Sequence, residues 1–143
     1  MGKRILVCDN AAFIRTIIRN HLTKNGYEIA GEAANGLEAI EKANELRPDL
    51  VLLDMYLKET DGIEVLKEIR KDQSIKVIMI SPQAPMDGIT TEELVDHNAG
   101  DLARAKSGFV NMKMEAVMSG ACGFLEKPFK PEILLEEVKK AIG

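Results

Sequence analysis

The chain has 143 residues, 45% of them hydrophobic, and a formal net charge of −4 at neutral pH. That length supports one substantial core rather than two independent domains, the mildly acidic balance offers no electrostatic footprint for nucleic acid, and no apolar stretch approaches the roughly 20 residues that cross a bilayer. The opening MGKRILVCDN has a basic pair but too short an apolar run for a signal-peptide core, so a cytoplasmic location is expected, with neither membrane nor nucleic acid as partner.

RILVCD is a short β-branched apolar run ending in polar residues, the pattern of a strand buried on both faces of a parallel sheet. Ile14, Ile17, Ile18 and Leu22 then recur at helical spacing, and Asn25-Gly26 supplies the stop, because glycine tolerates the left-handed conformation there. YEIAGEA reads as the second strand. Asn35 caps the next helix, whose apolar face is predicted to use Leu37, Ile40 and Ala43 before Pro48 forbids continuation. DLVLLD is a third buried strand, and Asp61 with Glu64 fits a capping box for a helix carrying Ile63, Leu66 and Ile69. KVIMIS is the fourth strand and ACGFLEK the fifth, after which Pro131 suits the first turn of a helix bearing Leu134, Leu135, Val138 and Ile142. Cys8 and Cys122 lie in apolar runs without metal-ligand spacing and read as small buried hydrophobes.

Strands that alternate with amphipathic helices predict an α/β fold: a doubly wound, five-stranded parallel sheet in a single domain over 1–143. One stretch breaks the rhythm. PQAPMDGITTEELVDHNAGDLARAKSGFVNMK is too long for an ordinary strand-to-helix loop, which marks an insertion at about 83–107. Within it Thr90 and Glu93 form a candidate capping box, and beyond it Val110, Met114, Val117 and Met118 predict a packed helix near 109–118. Five acids against two bases between Gln83 and Ser107 make the insertion acidic, which suits either a solvated elaboration or an altered partner surface. His97, alone there, reads as a surface residue.

In open parallel sheets, ligand sites form beyond the carboxyl ends of the strands. The strand ends are Asp9-Asn10, Asp54, Ser81 and Lys127, so two carboxylates, a hydroxyl and an amine should converge. Paired carboxylates repel, and hard oxygen ligands at a wet strand end suit Mg2+, although a lysine alone could also serve. Any one of these residues could be a helix cap or a solvated charge. All four at successive strand ends are hard to account for in that way, since capping requires neither the hydroxyl nor the amine.

With these residues in place, the chain resembles the response-regulator receivers, the CheY-like family. The resemblance rests on ILVCDNAAFIR, PDLVLLD, DGIEVLKEI, KVIMIS and GACGFLEKPF, which span nearly the whole chain outside the insertion. It implies the flavodoxin-like strand order 2-1-3-4-5. It further implies that Asp54 is the phosphoacceptor, that Asp9, Asn10, Asp54 and the backbone carbonyl of Tyr56 hold Mg2+, and that Ser81 and Lys127 contact the phosphoryl group. Phe124 would be the aromatic switch residue, and the Lys127–Pro128 bond would be cis.

The chain departs from the family pattern at several points. Asn10 stands where an acidic metal ligand is usual, and a unit charge at about 4 Å is worth up to about 4 kcal/mol at an effective dielectric near 20, so Mg2+ binding should be weakened. Pro82 has no amide to offer the phosphoryl group. Lys58 and Thr60 replace the usual proline and methionine, and the bulky Tyr56 could shield an acyl phosphate.

The resemblance implies a non-enzymatic signalling module that takes phosphate from a histidine kinase or phosphotransfer protein and acts on a downstream protein target. A pseudo-receiver serving as a phosphorylation-independent scaffold is the alternative, favoured by Asn10 and Pro82. A small phosphatase using Asp54 ranks last, because Tyr56 sits where its general acid would be expected.

Overall fold

The computed structural model describes residues 2–57, 60–81 and 113–143. β1 (Arg4–Cys8) leads through α1 (Ala12–Lys24) to β2 (Glu28–Ala33), and α2 (Gly36–Leu46) leads to β3 (Leu50–Asp54). A short excursion, β4 (Tyr56–Leu57) and β5 (Thr60–Asp61), precedes α3 (Gly62–Ile69) and β6 (Lys76–Ser81). Residues 113–118 are helical (α4), followed by β7 (Gly123–Glu126) and α5 (Pro131–Ile142). The main sheet has five strands in the order β2-β1-β3-β6-β7, and each neighbouring pair is parallel. With β6 and β7 as the fourth and fifth long strands, this is the expected order.

Alternate residues of each strand face opposite sides, which splits the core into two layers. Leu6, Cys8, Val51, Leu53, Val77 and Met79 meet α2, α3 and Ala116 on one face. Ile5, Val7, Leu50, Leu52, Ile78 and Ile80 meet α1 and α5 on the other. β3, central in the sheet, is buried from Leu50 to Asp54.

The helix stop at Asn25-Gly26 and the cap at Asn35 act as read. Asn25 closes α1 with its N–H on the Leu22 carbonyl at 3.1 Å, and Gly26 takes φ 91°, which glycine alone adopts freely. Asn35 Oδ1 accepts the Glu38 N–H at 2.9 Å. Asp61 caps α3 through the Ile63 N–H, whereas Glu64, expected to complete a capping box, pairs with Lys67 instead.

The inward faces of some helices differ from expectation. Ile17, Leu37, Met114, Val117 and Met118 are exposed, Leu37 by 66% and Met118 by 84%, whereas Ala39 and Ala116 are fully buried, as is Ala43, expected on the inner face. In α2 and α4 alanine lets the helix axis approach the sheet closely, so the larger apolar residues at helical spacing are displaced to its flanks, while α1 turns Ile18 and Leu22 inward instead of Ile17. Cys122 is also exposed rather than buried; it immediately precedes β7, and its N–H donates to the Val77 carbonyl at 2.8 Å. The predicted insertion at 83–107, with its charge excess, Thr90 cap and His97, lies outside the described residues, as do Lys58, Pro82 and Val110.

Candidate functional site

Asp9 follows the last residue of β1, and its N–H donates to the Ala33 carbonyl at 3.0 Å, extending the ladder with β2 one step into the site. Its side chain is fully buried. Oδ1 accepts the Ala11 N–H at 2.9 Å, and Oδ2 lies 2.9 Å from the Lys127 Nζ. Apart from that ion pair, Asp9 Oδ2 is a buried oxygen with no hydrogen-bond partner among the described residues. Asn10, next in the chain, is exposed at the rim.

Asp54 ends β3 and is almost fully buried. Its Oδ1 accepts the Tyr56 N–H at 3.1 Å, and its Oδ2 accepts from Lys127 Nζ at 3.2 Å. Lys127 itself is anchored by its N–H on the Ser81 carbonyl at 2.9 Å and precedes the cis bond to Pro128. The ammonium therefore bridges two carboxylates delivered by different strands. Ser81, buried at the end of β6, sends its hydroxyl to the Leu125 carbonyl at 3.5 Å. Phe124 lies further back along β7, half-buried against the core, with Lys113 Nζ 5.4 Å from its ring centroid. Tyr56 is exposed.

Burial pushes the Asp54 carboxyl above its ordinary value; the Tyr56 N–H draws it down, the Asp9 charge raises it, and Lys127 lowers it again. For Lys127, burial acts downward, but the contact with Asp9 and the charges of Asp54 and Asp9 outweigh it and hold the amine above its ordinary value. Burial likewise raises the Cys8 thiol, consistent with a packing role.

Among the described residues no cluster of three or more histidine, cysteine or acidic side chains could hold a metal. The donors that are present nonetheless fit a hard cation: two carboxylates, one with a buried oxygen held only by the Lys127 ion pair among the described residues, beside an exposed amide.

Sequence reasoning did not single out Arg15, whose Nη1 donates to the Asp9 carbonyl at 2.5 Å, or Glu32, which holds Arg15. An arginine on a helix reads as an ordinary solvated residue, and only the folded chain shows that it reaches back to the site.

A model of the family described as response regulator receiver domain matches residues 5–102. The chain belongs to that family. This receiver is 39% identical over 140 residues to the chemotaxis protein CheY of Thermotoga maritima, with 98% of each chain covered. It is 36% identical over 144 residues to CheY of Bacillus subtilis, with 100% of each covered. Its fold is similar to the crystal structure of the response regulator domain of T. maritima CheB, with a TM-score of 0.73, 28% identity, and 99% and 96% of the two chains covered. The protein is thus a receiver domain of the CheY type, as the resemblance implied. Receivers of this kind normally bind Mg2+ at the phosphorylation site. No helix among the described residues is long and apolar enough to cross a membrane.

Proposed function

We propose that Asp54 is the phosphoacceptor of this receiver, charged by a histidine kinase or phosphotransfer protein and read out by a downstream protein. The observation that carries this reading is the Lys127 ammonium placed between Asp9 Oδ2 and Asp54 Oδ2 at 2.9 and 3.2 Å. An aspartate is a poor nucleophile toward an anionic phosphoryl donor, so the attack needs local positive charge. Lys127 supplies part of that charge and holds one Asp54 oxygen. The Tyr56 N–H fixes the other, so the carboxylate meets the donor in a set orientation.

Asp9, Asn10, Asp54 and the Tyr56 carbonyl would hold Mg2+, which when bound offsets the charge on the phosphoryl oxygens. In the transfer, a bond forms between an Asp54 oxygen and phosphorus while the bond from phosphorus to the donor breaks, and the departing histidine or acetate keeps that electron pair. Ser81 is then the hydroxyl available to turn from the Leu125 carbonyl toward the new phosphoryl oxygens, with Phe124 changing its packing as the switch. Asn10 favours a second reading, a scaffold that does not need phosphate, against which stand Asp54, Ser81 and Lys127 at their strand ends.

Acetyl phosphate with Mg2+ should add one phosphoryl group by intact-mass spectrometry, slowly, and none to Asp54→Ala. Addition that persists in Asp54→Ala overturns the assignment. Amide shifts that respond to neither Mg2+ nor beryllofluoride would select the scaffold.

A further inference from the structure

Arg15 joins the acidic turn to β2. Its Nη1 donates to the Asp9 carbonyl at 2.5 Å, and its Nε donates to Glu32 Oε1 at 3.2 Å. Arg19 Nη1 holds the other Glu32 oxygen at 2.8 Å, and Lys42 Nζ donates to the Glu32 carbonyl. The side chains of Arg15 and Glu32 are 17% and 27% exposed, so this is a partly shielded network rather than a loose surface pair. Asp9 is consequently fixed on three sides. The Asp9 N–H is on Ala33, the Asp9 carboxylate on the Ala11 N–H, and the Asp9 carbonyl on Arg15.

This fixing matters because of Asn10. With an amide in place of a carboxylate, less of the attraction for a divalent cation comes from charge, and more depends on holding the oxygens in place before the cation arrives. We infer that Arg15, held by Glu32, is a positioning residue for the Mg2+ site, orienting Asp9 and Asn10 through the backbone between them. The inference rests on the proposed assignment of those two residues as metal ligands. Its sign is distinctive. Arg15 is itself a cation beside the site, so on charge alone its removal would strengthen Mg2+ binding, whereas loss of positioning weakens it.

The test is a Mg2+ titration followed by amide shifts at residues 9–11 and 54–56, with thermal melts in parallel, on the wild type, Arg15→Gln, Arg15→Lys and Arg70→Gln. Arg70 serves as the control because its guanidinium also caps carbonyls, those of Gln73 and Ile75, but at the opposite end of the sheet. Both Arg15 variants should weaken Mg2+ by about tenfold. The lysine variant keeps the charge but cannot span both partners as a guanidinium fork does, and it carries the test if Arg15→Gln melts below the assay temperature. Arg70→Gln should lower the melting temperature and leave Mg2+ affinity unchanged. An Arg15 variant that binds Mg2+ as tightly as wild type or more tightly overturns the inference, as does an equal loss in Arg70→Gln. A wild type without shifts at these amides overturns the site assignment and the inference with it; a wild-type response that persists in both Arg15 variants overturns the inference alone.

Discussion

Burial raises the Asp54 carboxyl above its ordinary value, and the Tyr56 N–H and the Lys127 ammonium only partly draw it back. Between the ordinary carboxylate range and that raised value the folded chain binds more protons than the unfolded one, so stability falls as pH rises through this window. Asp54→Asn is therefore expected to raise the unfolding free energy at pH 7 by about 1 kcal/mol. The gain should shrink as pH falls through that same window, because the wild-type carboxyl takes up its proton there. Urea melts at several pH values check this, and a less stable Asn variant at pH 7 would mean that the Lys127 pair outweighs burial. Lys127→Met should behave oppositely, leaving two buried carboxylates without their ammonium, with a loss of about 3 kcal/mol that added Mg2+ partly restores. The raised value of Lys127 means that its contribution is complete below the ordinary lysine value of 10.5 and fades as pH climbs past it. Asp9, Asp54, Ser81 and Lys127 were legible before folding, because a polar residue closing a buried apolar run has nowhere to go but the sheet's carboxyl edge. Arg15 and Glu32 were not, since each is an unremarkable charge in its own element and acquires meaning only from the other.

At the scale of elements, the strands and the caps at Asn25, Asn35 and Asp61 follow from local chemistry, while the inward faces of the helices do not. Periodicity weights large side chains, yet α2 meets the sheet through Ala39 as well as the expected Ala43, and α4 through Ala116. The β4–β5 hairpin was also invisible, since strands of two residues carry no period. It is closed by Gly62, whose N–H donates to the Met55 carbonyl at 3.0 Å. A Cβ there would lie 2.3 Å from that same oxygen, a backbone atom that cannot swing aside. Gly62→Ala should cost about 2 kcal/mol and shift the Tyr56 amide, which a urea melt and an amide spectrum of the same sample would show. An unperturbed Tyr56 amide would mean that the hairpin does not transmit the strain to the site.

At the scale of the whole molecule, the parallel five-stranded sheet was readable from the alternation of elements, but the order of its strands was not, and came only with the family resemblance. Periodicity says which residues are buried, not which strand lies beside which. The two core layers share β3, with Leu52 in one and Leu53 in the other. Leu53→Ala should cost about 3 kcal/mol by opening a cavity in the layer under α2 and α3, measured as a shift in the urea midpoint. The bridge from Lys127 to Asp54 spans 73 positions of sequence. During synthesis at about 5–20 residues per second, roughly 4 to 15 seconds separate the two residues. A nascent chain stalled before β7 already carries both acids but not the ammonium that sits between them. The ability to take up phosphate would then arrive in one step with the last strand, and shortened products of translation would not compete for the donor.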